Sequence, residues 1–219
     1  MSESRTDVYA RLSRPPRRAS GIPRFALRFP ARLIRKLAEA YDDDDREAFA
    51  AGRRIAAGSR SRDDFAVIVE WKTRGRGRSR PARNGDAEIA DALDLATAAR
   101  SDRAAVAVLT GLAGVDVPVA SAILTTVDPE RFTIVDFRAL WSLGIERMTY
   151  CSVAFYLEYL AACRRIAADA GTDLRTLDRA LWQYSRENQP PVNRSQARVT
   201  RSRTTRPSDS LRAKRLSQN

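Results

Sequence analysis

Apolar residues along most of this chain recur every three to four positions, the spacing of one buried helical face. From Pro30 onward, Leu33, Ile34, Leu37 and Tyr41 fall at that spacing. An acidic turn over 42–45 separates this helix from a short second one, which runs through Phe49 and Ile55 and stops at Gly58. Ser61 and Asp64 have the spacing of a capping box and open a third helix, with Phe65, Val67, Ile68, Val69 and Trp71. A basic loop over 73–85, holding Gly75, Gly77, Pro81 and Gly85, then breaks the pattern. Asp86 starts a helix through Ile89, Leu93 and Leu95, and Asp102 starts one through Val106, Leu109 and Leu112. Two long helices close the body. The first covers 152–170; the second, capped by Thr172 or Asp173, carries Leu174, Leu177, Leu181, Trp182 and Tyr184. The segment 132–135 is the one alternating stretch of strand length, and no repeat at a period of roughly 20–50 residues appears. The pattern predicts an all-α fold of eight to ten helices, with one domain over 29–188.

Composition agrees and adds detail. The chain has 219 residues, 43% hydrophobic and 30% charged, proportions that suit a globular domain burying a sizeable core. The net charge of +12 is unevenly spread: residues 1–28 carry +5 and residues 189–219 carry +7, so the body between them sums to zero. Both tails are rich in Arg, Ser and Pro and poor in apolar residues, and are expected to be disordered. Inside the body the basic residues concentrate in one segment, W-K-T-R-G-R-G-R-S-R-P-A-R over 71–83. Only three of the 39 basic residues are Lys, a bias toward Arg that leaves two readings of the tails open, generic basic arms or phosphate-binding arms.

Several chemistries are excluded outright. The chain contains no histidine, which removes His general catalysis, Ser-His-Asp and Cys-His triads and His metal sites. Two cysteines, Cys151 and Cys163, cannot supply four thiolates for zinc or an iron–sulfur cluster. They lie twelve residues apart in a helical pattern, too far for a disulfide, and suit two small core residues. No cofactor and no metal is expected. No stretch approaches the roughly 18 apolar residues of a membrane span, and the N-terminus lacks the apolar core of a secretory signal. A cytoplasmic location without a membrane partner is the expectation.

The segment 109–144 holds the most specific pattern. A helix ends near Leu112, Gly114 makes a tight turn, and a new helix begins near Val117 with Pro118 in its first turn. Such a loop is expected to leave the backbone N–H groups of Gly114, Val115 and their neighbours pointing outward at a helix N-terminus, where they bind an anionic oxygen without a basic side chain. Beyond a turn at Asp128-Pro129-Glu130, the four extended residues deliver Asp136 to the start of another helix, ended by Gly144. By itself Asp136 is an ordinary helix N-cap.

These residues resemble the helix-hairpin-helix DNA glycosylase superfamily, the endonuclease III-like group. That family's hairpin reads roughly L-P-G-V-G-x-K-x-A, followed at a fixed distance by V-D-x-x-V. Here L-A-G-V-D-V-P-V-A over 112–120 stands for the hairpin and V-D-F-R-A-L over 135–140 for the second element. Pro118 falls in the slot of the family's lyase lysine and Asp136 in that of its catalytic aspartate, 18 residues apart as in the family. The resemblance implies a helix-hairpin-helix bundle with the hairpin at about 109–126 and the Asp element at 132–144. It implies a nucleoid-associated monomer whose partner is the phosphate backbone of duplex DNA, and base excision by Asp136. DNA contacts would come from Gly114, Val115, Asp116 and Val117 of the hairpin and from Lys72, Arg74, Arg76 and Arg138. Two departures limit it. Pro118 has no amine, so Schiff-base chemistry cannot occur at that slot. Asp116 replaces the hairpin's second glycine and sets a carboxylate near the expected phosphate. Three functions follow: a monofunctional glycosylase, a DNA-binding module without chemistry, and a helical structural or interaction protein. Trp71 and Trp182 are expected to be packing anchors, Arg138 a surface or salt-bridging residue as much as a phosphate contact, and the acidic run a solvated loop.

Overall fold

The structure, a computed structural model, describes residues 25–76, 80–146 and 150–190. Most of the two expected tails, 1–24 and 191–219, lies outside the described residues, as do 77–79 of the basic loop and 147–149. The chain divides into two units, 1–187 and 188–219; the contacts below belong to the first. Among the described residues there are nine α-helices and no strand. They are α1 (Ile34–Glu39), α2 (Arg46–Ala56), α3 (Arg62–Thr73), α4 (Asp86–Ala98), α5 (Asp102–Leu109), α6 (Val117–Val127), α7 (Phe137–Ser142), α8 (Val153–Asp169) and α9 (Leu174–Asn188). Short 3-10 turns at Ala31–Leu33 and Pro81–Arg83 complete the set.

Side-chain caps start most of these helices. Ser61, Ser101, Asp116, Asp136 and Ser152 each accept a hydrogen bond from a backbone N–H of the first turn, and Asp173 takes the N–H of Thr176 at 2.7 Å. Each such cap is worth about 1 kcal/mol. The Ser61 cap is one-sided. Its N3 partner Asp64 does not reach back but binds Ser59 Oγ at 2.5 Å and Arg54 Nε at 2.6 Å.

Helix α6 is the centre. Nine of its eleven residues are buried, and it contacts α2, α3 and α5. Against α2 the approach is close at Gly52, where a Cβ would collide with the Thr126 backbone. A helix apolar all round belongs in the middle of a bundle.

Four expectations are revised. Residues 25–28 are not tail. Phe25 and Leu27 pack on the core, and the N–H groups of Ala26 and Arg28 donate to Leu143 O and Ser142 O at 3.1 and 2.9 Å. Leu95 faces outward from α4, 60% exposed, so the apolar stripe there is narrower than its sequence suggests. Leu112 is buried but sits in a turn after α5 rather than in the helix. The acidic run is solvated only in part: Asp42 and Asp44 are exposed and pair with Arg186 and Arg46 at the surface, whereas Asp43 and Asp45 turn toward Arg74 and Arg175. Asp45 is buried.

Candidate active site around Asp136

The four residues before Asp136 are extended and buried, yet have no strand partner. Buried backbone groups need partners, and here side chains supply them. The hydroxyls of Tyr156 and Tyr159 on α8 donate to Thr133 O and Ile134 O at 2.9 and 2.7 Å. Val135 N–H donates to Ser121 Oγ of α6 at 3.1 Å, and Lys72 Nζ of α3 donates to Val135 O at 3.3 Å. Three helices thus fix the backbone that presents Asp136.

The two carboxylate oxygens of Asp136 have different work. Oδ1 accepts the N–H groups of Arg138 and Ala139 at 2.9 and 2.8 Å, capping α7. Oδ2 lies 3.8 Å from Lys72 Nζ, an ion pair whose side chains are 12% and 23% exposed for Lys and Asp. One oxygen is committed to structure and the other is left toward Lys72 in a cavity.

That cavity has a volume of about 630 Å³ and is lined by Asp136, Lys72 and the rings of Tyr41, Trp71, Phe137 and Trp182. Arg74, Arg76, Arg138, Arg175 and Arg186 also reach its walls, with Asp42, Asp43 and Asp178. Several of these charges are matched internally: Arg74 holds Asp43 at 2.9 Å, Arg186 pairs with Asp42, and Arg175 joins Asp45 to Asp178. Arg138 is held by rings instead, its guanidinium 5.2 Å from Phe137 and 5.1 Å from Trp182. Tyr41 meets Trp182 edge-on at 5.2 Å. Burial pushes the Asp178 carboxyl up to about 6 against the opposing pull of Arg175, and burial also carries the Tyr41 phenol well above its ordinary value.

The hairpin turn is built next to the basic loop. Gly114 has a positive φ of 80°, and a Cβ there would stand 2.7 Å from both Arg80 Cβ and Pro81 Cδ. Asn84 clasps the turn, donating to Ala113 O at 3.0 Å and accepting from Ala113 N–H at 2.7 Å. The expected outward N–H of Val115 is spent inside the turn, donating to Leu112 O at 3.1 Å, and both Val115 and Val117 are buried. Exposed Asp116 caps α6 by accepting from Val119 N–H at 3.0 Å. Its own carboxylate therefore occupies the helix end where an external anion was expected.

Among the sequence-selected residues, Asp136, Lys72, Arg74, Arg76 and Arg138 line one cavity. Gly114, Val115, Asp116 and Val117 form the turn and are absent from its lining. Lys72 differs most from expectation: from the last turn of α3 it pairs with Asp136 instead of standing out as a phosphate contact. Trp71 packs on the core and meets Phe49 edge-on, and Trp182 meets Tyr41 in the same way, as packing anchors should; both also wall the cavity. Sequence reasoning read Tyr41 only as part of an apolar helix face and passed over Asp178 and Ser121; their roles emerge where the turn after α1 and helices α6 and α9 meet the Asp element. Cys151 and Cys163 are free and buried, as their spacing suggests, and burial pushes their thiols up to about 11 and about 12. No helix among the described residues is long and apolar enough to cross a membrane. Comparison with known proteins gives no match to any family model, curated protein or solved structure.

Proposed function

We propose that this protein is a base-excision type DNA N-glycosylase acting on duplex DNA through Asp136. The observation behind the proposal is the division of labour at that carboxylate: Oδ1 is locked by two backbone N–H groups while Oδ2 is left at a cavity walled by rings and cations. A volume of about 630 Å³ lies in the range of small-molecule sites and suits an extrahelical nucleotide, with aromatic rings beside the base and arginines toward phosphates. A carboxylate next to the sugar stabilises oxocarbenium-like charge or activates water for attack at the anomeric carbon. The family resemblance of 112–120 and 135–140 supports the same assignment. Pro118 offers no amine at the lyase slot, so strand scission at the resulting abasic site requires added alkali. Arg74, Arg76 and Arg138 and the Arg-rich tails supply phosphate contacts, which makes binding strongly salt-dependent.

The test is abasic-site formation on duplex oligonucleotides carrying a panel of damaged and mismatched bases, scored after alkali, with binding followed on the same duplexes. Base release from at least one substrate is expected. A second reading, a DNA-binding module without chemistry, draws on Arg74 and Arg76 of the basic segment and on the Arg-rich tails, which can hold phosphates without any reaction at Asp136. Salt-dependent binding with no release from any substrate would select it, and absence of binding would reject both.

A further inference from the structure

We infer that Asp178 is the general acid of the Asp136 cavity, giving its proton to the departing base, and that the cavity therefore takes neutral bases rather than cationic alkylated ones. The inference rests on the proposed glycosylase function and adds to it a second carboxyl and a substrate class.

Asp178 is 5% exposed, yet it lines the cavity. On α9, Asp178, Trp182 and Arg186 follow one another at four-residue intervals, and all three reach the lining. Side chains four apart on a helix are neighbours. The Asp178 carboxyl therefore lies one turn from the Trp182 ring, one of the rings proposed to stand beside the base. Asp136 enters from a different element, as the cap of α7.

The two carboxyls are held differently. Asp136 accepts two backbone N–H groups on Oδ1 and pairs with Lys72 through Oδ2. Among the described residues Asp178 meets one donor, the Arg175 guanidinium on Oδ2, and Arg175 is shared with Asp45. Of the other charges acting on it, Asp136 opposes its ionisation and Lys72, already paired to Asp136, favours it. Tyr159 and Cys163 of α8 and Tyr41 of the turn after α1 also face it, and burial holds all three in their neutral forms. Burial outweighs Arg175 at Asp178 and carries its carboxyl up to about 6. Two carboxyls of one cavity in contrasting surroundings are the arrangement that separates an acid from its partner.

The charge of the lining selects the substrate. Asp42, Asp43, Asp136 and Asp178 pair with Arg186, Arg74, Lys72 and Arg175, whereas Arg76 and Arg138 have no acidic partner among the described residues. The surplus is positive and opposes a cationic base. A cationic base also leaves as a neutral molecule and needs no acid. A neutral base leaves as an anion unless it is protonated, and a carboxylic acid at the cavity wall meets that need. In the reaction the glycosidic bond breaks with its electron pair going to the base, and the Asp178 proton goes to a ring nitrogen of that base. The oxocarbenium charge left on the sugar faces Asp136. Water then bonds to the anomeric carbon and gives a proton to Asp136. One proton has left Asp178 and one has reached Asp136, and exchange with solvent restores both.

The experiment sorts the lesion panel by charge and follows single-turnover release by the full chain, relative to duplex without protein. Hypoxanthine, uracil and mismatched adenine or guanine are the neutral bases; 7-methylguanine and 3-methyladenine in a methylated duplex are the cationic ones. The larger acceleration is expected for a neutral base, with a rate that falls as pH rises above about 6. Asp178→Asn is expected to slow that release by about 10²-fold or more, to flatten the fall at higher pH and to leave duplex affinity by anisotropy unchanged. Asp178→Glu, which keeps an acid, should recover part of the rate together with the pH dependence. Greater acceleration for the cationic bases, a wild-type rate that does not fall above that pH, or an unslowed Asp178→Asn protein would each overturn the inference and leave the proposed function standing. No release from any duplex would overturn both. The base preference and the wild-type pH profile need no variant, so a folding defect in Asp178→Asn cannot hide the answer.

Discussion

Substituting Asp136 tests whether its two oxygens do separate work, because Asn and Ala remove different parts of the side chain. The cap on α7 is worth about 1 kcal/mol, and Asn retains a carbonyl oxygen that can accept from Arg138 and Ala139. The ion pair is lost in either variant. At 3.8 Å and an effective dielectric constant near 20, its gross attraction is about 4 kcal/mol. Most of that is offset by desolvation of two largely buried groups, leaving a net of order 1 kcal/mol. Asp136→Asn should therefore destabilise by about 1 kcal/mol and Asp136→Ala by about 2 kcal/mol. For a domain of this size each kcal/mol lowers Tm by roughly 2–4 °C. Base release should fall by about 10²–10⁴-fold in both, as loss of a positioned acid–base group does. Urea titrations measure the first pair of numbers, and abasic-site formation on a competent substrate measures the second. In a double-mutant cycle, Lys72→Met with Asp136→Asn should show coupling of about 1 kcal/mol. Equal destabilisation by Asn and Ala would refute the capping role of Oδ1. Undiminished base release by the Asn protein would refute catalysis by Oδ2.

Other predictions concern the frame. Asp102 binds Arg131 Nε and Arg164 Nη1, each at 2.8 Å; although burial opposes it, these two guanidinium groups hold its carboxyl below the usual range. Its stabilisation is present above the unfolded carboxylate range and lost as pH falls through the lowered folded value, so the deficit of Asp102→Asn, about 2–4 kcal/mol at pH 7, should shrink on acidification in pH-resolved urea melts. Asp178 has the opposite sign. With its carboxyl raised to about 6 from 3.8, the ionised form is disfavoured in the fold, and stability is lost as pH rises between those values. Asp178→Asn should therefore gain on the wild type by up to about 3 kcal/mol from pH 4 to pH 7; parallel curves would show that the buried carboxyl does not titrate there. Gly114→Ala should cost at least about 2 kcal/mol, since positive φ and the crowding of Arg80 and Pro81 act together, and calorimetry would expose a smaller penalty.

Helical periodicity made the helices legible, and capping residues marked most of their starts, because both signals are local. Asp136 at the head of α7, Pro118 in the first turn of α6 and the Gly114 turn stand where the sequence puts them. The cavity was not legible, because it is assembled from residues nearly 150 positions apart in the chain, Tyr41 to Arg186. Local polarity misled at Asp45: four consecutive aspartates look solvated, and two of them are, but Arg175 and Arg179 of α9 arrive beside Asp45 and bury it. Lys72 misled for the same reason, since a basic segment hides which of its charges turns inward.

Asp116 shows how a departure from pattern acquires a physical meaning only with its partner in view. In sequence it is a misplaced charge at the tip of a turn expected to bind phosphate. In the fold its carboxylate takes the N–H of Val119 at 3.0 Å, so under the proposed function it would both repel an incoming phosphate and fill a donor that could receive it. Asp116→Gly removes the two obstacles together. The fold should lose only a few tenths of a kcal/mol, since Gly is a tolerable cap. A carboxylate about 6 Å from a phosphate is worth roughly 0.7–3 kcal/mol of repulsion at effective dielectric constants of 80 to 20. Duplex affinity should therefore rise by about 3-fold to 150-fold at low salt, with the gain shrinking as salt rises because the repulsion removed is itself screened. Anisotropy titrations at two or three salt concentrations separate these terms, and unaltered affinity would mean that DNA approaches the protein without touching this turn.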